Sequence, residues 1–276
     1  MSDTDAILVR PRSGLQPIDL RELWRYRELL WFLALRDIKV RYKQTLLGAA
    51  WAILQPFLTM VVFSVVFGRF AGIPSEGAPY PVFAYCGLLP WQLFAYALTQ
   101  SSASLVANQR LITKVYFPRL VVPIASLLCG LVDFAVALPV LLGMMLYYGI
   151  TPPPGAIAAV PLFIILALLT ALAAGLWLSA MNAVYRDVQY AVPFLTQFWL
   201  FITPVAYPAS LVPERFRWLF GLNPMAGVVE GFRWALLGKA RPDGALLALS
   251  TTAVIALLLG GLLYFRRMER EIADLV

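Results

Sequence analysis

The side chains able to do chemistry in this chain lie inside long apolar runs, and their spacing suits holding a polar ligand better than breaking a bond. At 100° per residue, Gln92, Tyr96 and Thr99 share one helical face. Thr196, Leu200, Thr203 and Tyr207 share another, and Trp51 and Gln55 stand one turn apart. Amides and hydroxyls on such faces could line a route for a hydroxyl-rich ligand; they serve equally well for hydrogen bonding between helices in lipid. Asp133 is a carboxylate inside an apolar run, where an unpaired charge costs about 2.5–3.5 kcal/mol. No cation sits at comparable depth in another run, so Asp133 is expected to face water, or polar groups such as Asn182 or Ser179.

No residue is assigned a catalytic or metal-binding role. The chain has no His, which removes the usual acid/base group near neutral pH and the commonest transition-metal ligand. No GxxxxGK[ST] pattern occurs, and Gly238-Lys239-Ala240, the nearest candidate, has the wrong spacing and following residue. Metal-ligand clusters, nucleophile elbows and carboxylate pairs at one depth are likewise missing. The chain is therefore not expected to bind ATP in the usual way. Any uphill movement must draw on an ion gradient or another subunit, and the paired repeats of gradient-driven carriers are not evident.

The elements that would position these side chains are membrane helices. Hydrophobic residues make up 61% of the 276 and charged residues 13%, against roughly a quarter charged in soluble domains, and mean hydropathy is +0.77. A helix crossing a ~30 Å hydrocarbon core needs ~20 apolar residues. Runs of that order cover 45–68, 77–109, 120–149 (interrupted by Asp133), 155–185, 188–213 and 245–265. The expected fold is an all-α integral membrane protein with six transmembrane helices, 44–276 forming one domain. Cys86 and Cys129 fall inside runs and read as small packing residues. The net charge of +7 comes from residues flanking the runs, which points to anionic membrane lipids and away from nucleic acid. The N-terminus lacks a signal peptide's apolar core, so no cleaved leader is expected.

Residues 1–17 read as a flexible tail, and 18–43 as an amphipathic helix in the membrane surface, with Trp24 and Trp31 in its apolar stripe and Arg36 away from it. A helix packed on a soluble partner is the competing account. With the N-terminus inside, sixteen Lys/Arg fall in cytoplasmic segments and six outside, so both termini are expected in the cytoplasm. Residues 106–118 would then form a short helix across a cytoplasmic turn, with Arg110, Lys114 and Arg119 toward water and Leu111, Val115 and Phe117 toward lipid or protein. A cytosolic partner could push such a turn, and an ordinary basic anchoring loop would look the same. Outside, two short helices within 213–237 could dip into the membrane and return as a lid; anchoring by Trp218 and Trp234 is the alternative. Asn223, Pro224 and Gly238 supply the cap, first turn and stop of the second.

Several motifs occur in order over about residues 20–265: RDIKVRYKQTLLGAAWAILQP (36–56), GLLPW (87–91), NQRLITKVYFPR (108–119), YRD (185–187), and TPVAYP with VPE and LNP (203–224). On these the chain resembles the membrane permease subunit of type-2 ATP-binding-cassette exporters, most closely the branch exporting O-antigen, capsule and teichoic acid polymers. The resemblance implies a homodimer in the bacterial inner membrane, joined to two cytosolic ATPase subunits that bind the ATP and Mg²⁺. It implies export of a lipid-linked polysaccharide through a channel between first and fifth spans. Residues 106–118 would be the coupling helix, with Arg110, Leu111, Lys114, Tyr116, Phe117 and Arg119 meeting the ATPase. Trp51, Gln55, Phe198, Phe201 and Tyr207 would face the channel, joined by Tyr96, Thr196 and Thr203 from the polar faces above, and Trp218, Phe220, Phe232 and Trp234 would belong to the periplasmic gate. A same-family exporter of a drug or lipid is the alternative, and an intramembrane transferase using Asp133 or Asp187 as base is a third reading.

Overall fold

The computed structural model describes residues 20–43, 48, 50–239 and 241–275, so the expected tail at 1–17, the first two residues of the surface helix and Leu47 lie outside the described residues. The described residues are helical, with no strand among them. In chain order the helices are α1 (Leu20–Arg25), α2 (Arg27–Lys43), α3 (Ala50–Phe63, continued by a π-helical stretch Ser64–Phe70), α4 (Tyr80–Ala107) and α5 (Gln109–Ile112). They continue with α6 (Val121–Tyr147), α7 (Val160–Val184), α8 (Val188–Ile202), α9 (Arg217–Gly221), α10 (Pro224–Leu237) and α11 (Gly244–Leu275).

Five helical stretches are long and apolar enough to cross a membrane: Ala50–Phe70, Tyr80–Ala107, Val121–Tyr147, Ile157–Val184 and Gly244–Met268. The run at 188–213 is α-helical only over the 15 residues of α8, about 22 Å at 1.5 Å per residue and short of a ~30 Å core. Two prolines explain the stop. Pro204 disfavours helical backbone at the residue before it, and Thr203 is extended (φ −87°, ψ 139°). After Pro208 only a single 3₁₀ turn forms, Ala209–Leu211.

Helix α4 is the axis of the bundle, with α6, α7 and α10 packed around it and α11 laid on α7. Apolar side chains gain little from leaving lipid for one another, so close approach through small residues carries much of this packing. Gly231 of α10 illustrates it: a Cβ there would stand 2.1 Å from the Phe163 ring of α7. Helices α3 and α8 sit at the edge, α3 on α4 and α6, and α8 on α4 and α7. Both leave large apolar side chains exposed.

The N-terminal helix has two apolar faces, and the sequence stripe captured one. Trp24 and Trp31 are exposed as the stripe implies. A second side, with Tyr26, Leu30, Leu33 and Ala34, packs on α6 and joins an apolar cluster with Val121, Val122 and Ala125 of α6 and Phe265 of α11. The helix is therefore docked on the bundle, and Tyr26 breaks it into α1 and α2.

Candidate functional site

A cleft of about 420 Å³ opens between α3, α4, α6 and α8. Its apolar wall is built from Pro56, Leu89, Phe134 and Leu200, and its polar lining comes from Gln55 and Thr59 of α3, Gln92, Tyr96, Thr99 and Gln100 of α4, and Thr196 and Gln197 of α8. Of the expected channel residues, Gln55, Tyr96 and Thr196 meet here. Thr196 is buried and its hydroxyl donates to its own helix at Val192 O (2.7 Å). Trp51, Phe198 and Phe201 are exposed on the edge helices α3 and α8. Thr203 and Tyr207 close the end of α8: the Thr203 hydroxyl donates to Trp199 O (2.9 Å), and that of Tyr207 reaches Phe201 O (3.1 Å) and Ile202 O (3.2 Å).

Asp133 lines the same cleft, and its surroundings differ from expectation. Its carboxylate is paired with Arg41 of α2, Nη2 at 2.6 Å from Oδ2 and Nε at 3.3 Å from Oδ1, and it accepts the Tyr42 hydroxyl. Neither Asn182 nor Ser179 serves it: the Asn182 amide donates to Ser102 O and the Ser179 hydroxyl to Leu176 O. The missing cation comes from the helix preceding the first span, where a search confined to the spans could not find it. The Arg41 guanidinium lies 4.3 Å over the Tyr96 ring, adding a cation–π contact. Burial, followed by the bond to Asp133, pushes the Tyr42 phenol above its ordinary value.

At one end of the bundle, the turn after α4 is less helical than the expected 106–118 helix. Val106 and Ala107 finish α4, α5 holds four residues, and Thr113–Phe117 is non-helical, because Pro118 prevents continuation. Arg110, Lys114, Val115 and Tyr116 are exposed, and Leu111 is half-buried. Phe117 is 5% exposed and packs with the α2 face in the same apolar cluster, so it anchors the turn from inside. Arg36 ties α2 to this turn, its Nη2 donating to Asn108 Oδ1 at 2.7 Å while also pairing with Asp37.

At the other end, α10 begins and ends as expected. Asn223 accepts from Met225 N (3.1 Å), and Gly238 closes the helix at φ +64°. Asn223 does more than cap: its Oδ1 accepts from Trp199 Nε1 (2.9 Å) and its Nδ2 donates to Thr203 Oγ1 (3.0 Å), tying the start of α10 to the end of α8. The helix is buried nearly all round, and Phe232 sits in the core edge-to-face with Phe134. Trp218 is exposed, Phe220 is half-buried against Tyr207, and Trp234 lies beneath the Arg241 guanidinium. The expected helix over 213–220 is one 3₁₀ turn followed by α9.

Arg233 is the residue of this region that sequence reasoning undervalued. It pairs with Glu230 at 3.4 Å, as the three-residue spacing suggests. Its main partners are the non-helical carbonyls after α8: Nη1 to Pro204 O and Nη2 to Val205 O, both at 2.6 Å. The guanidinium also stacks 3.6 Å over the Phe83 ring. Gly87 leaves it room, since a Cβ there would lie 2.7 Å from Nη2. Burial pushes the Arg233 guanidinium below its ordinary value and the Glu230 carboxyl above its own, with each opposing the other's shift.

Comparison with known proteins matches residues 28–237 to the ABC-2 type transporter family. The chain is 31% identical over 254 residues to the O-antigen export system permease protein RfbA of Myxococcus xanthus, covering 91% of this chain and 96% of that protein. It is 28% identical over 249 residues to a protein of the same description from Klebsiella pneumoniae (90% and 95% covered), and 28% identical over 247 residues to the polysialic acid transport protein KpsM of Escherichia coli (86% and 92%). Five helices fit to cross a membrane, a polar cleft between three of them and α8, and a family match over most of the chain agree: this multi-pass membrane protein belongs to the ABC-2 type transporter family.

Proposed function

We propose that this chain is the membrane-spanning subunit of an ATP-driven exporter that carries a lipid-linked, O-antigen-like polysaccharide across the bacterial inner membrane. The observation carrying the reading is the cleft, whose glutamine amides stand between membrane helices where a glycan rather than lipid would satisfy them. The names of the relatives support the same substrate class.

In this proposal two copies face one another. The exposed aromatic residues Trp51, Phe198 and Phe201 on the edge helices support a joint channel, in which sugar rings slide along aromatic faces. Both termini and the α5 turn lie in the cytoplasm, α9 and α10 lie at the periplasmic side, and α8 completes a sixth span together with the 203–213 segment. Two separate ATPase subunits bind ATP and Mg²⁺ and press on the exposed Arg110, Lys114 and Tyr116. Phe117 and the Arg36–Asn108 bond pass that displacement to α2.

The test is reconstitution of the chain with its ATPase subunit in proteoliposomes, following a lipid-linked oligosaccharide. Translocation should require ATP and both subunits, and R110E/K114E should abolish it while ATP hydrolysis continues. Full translocation by that variant would remove the turn as the lever, and equal transport of the glycan-free lipid would make the chain a lipid exporter.

A further inference from the structure

Resting on that reading, we infer that the cleft selects an uncharged glycan, and that four glutamine amides, from Gln55, Gln92, Gln100 and Gln197, are the groups that read it.

These glutamines come from three helices, α3, α4 and α8, and all line one cleft. Gln55, Gln100 and Gln197 are exposed and Gln92 is half-buried, so their ends are reachable. No hydrogen bond joins any of the four side-chain amides to another described residue. The neighbouring hydroxyls behave differently: Thr59, Thr99 and Thr196 each donate to a carbonyl four residues back in their own helix. The threonines are satisfied locally, whereas the glutamines keep both a donor and an acceptor to offer. Free amides are costly against hydrocarbon, so four on one wall call for a ligand able to give and take hydrogen bonds repeatedly.

The charge of the cleft narrows the class. Among the described residues lining it, Arg41 is the cation and Asp133 the anion, and they neutralise one another at 2.6 Å. With Arg41 so engaged, an acidic sugar would enter without a counter-charge and lose its hydration, a cost a neutral sugar escapes. Single amide contacts are weak, so a chain of hydroxyls can exchange one for the next while moving.

The experiment uses this chain with its ATPase subunit in proteoliposomes and two fluorescent lipid-linked oligosaccharides of matched length, one of neutral hexoses and one carrying hexuronic acids. The readout is the ratio of the two transport rates within one preparation, which does not depend on how much protein folds. Wild type should favour the neutral probe, and Q92L/Q197L should lower the neutral-to-acidic ratio several-fold while the amide-retaining Q92N/Q197N lowers it less. D133N, which removes one negative charge from the cleft, should shift the ratio toward the acidic probe. Equal wild-type rates for both probes, wild-type preference for the acidic one, or an unchanged ratio in Q92L/Q197L would each overturn the inference and leave the export function standing. If neither probe moves, the export reading fails and this inference fails with it.

Discussion

Arg41 and Arg233 both enter the bundle from helices outside the five long spans, and they are held there by different chemistry. The Arg41 side chain is 35% exposed and meets a carboxylate across a cleft. That of Arg233 is 2% exposed and meets backbone carbonyls that the prolines after α8 release from helical bonding. An ion pair at the edge of a cleft can loosen, since water can solvate both partners. Carbonyls freed by a broken helix have no such alternative once buried, because an unmade hydrogen bond there costs ~1–3 kcal/mol. The α10 end is accordingly built as a fixed clamp, and the Arg41 site as an adjustable contact.

The strongest test is R233A, expected to destabilise the purified protein by ~3 kcal/mol or more, because it strands at least two buried carbonyls. R233K should recover little, since an ammonium lacks the planar fork that reaches both oxygens. Thermal unfolding in detergent reads both. G87A should cost about 1–3 kcal/mol by pushing a methyl group into the guanidinium; an unchanged melting temperature would show that the clamp has slack. D133N should cost about 1–2 kcal/mol, and R41L/D133L less than the sum of its single changes. Additivity in that cycle would show no coupling between the two charges. The smallest effect is expected from R41K, below ~1 kcal/mol, because a half-exposed ammonium still balances Asp133. An R41K as damaging as R233K would erase the distinction between the two sites.

Much of this was legible in the residues, for reasons that also mark the limit. The spans follow from charge-free runs, and α10 from Asn223, Pro224 and Gly238, all signals contained in a few neighbouring positions. Gln55, Tyr96 and Thr196 were found from helical spacing and do meet in the cleft. The Arg41–Asp133 pair was invisible because its partners are 92 positions apart and belong to different kinds of helix. Burial of Phe117 and Phe232 was equally hidden: an apolar residue at a lipid-compatible spacing looks the same whether lipid or protein covers it. The end of α8 fell between these cases, since its prolines were visible while the acceptor they left for Arg233 depends on where α10 packs.

The bonds from Arg36 to Asn108 and from Arg41 to Asp133 make α2 a ruler. Five positions separate the two arginines, about 7.5 Å of rise and roughly 140° of rotation. One residue inserted between them would turn Arg41 about 100° away from Asp133 if Arg36 kept its place. The length of this short segment is therefore constrained more tightly than its composition. Ile38 or Val40 could change to another helix-compatible residue, but the count between the arginines sets how far the α5 turn stands from the mouth of the cleft.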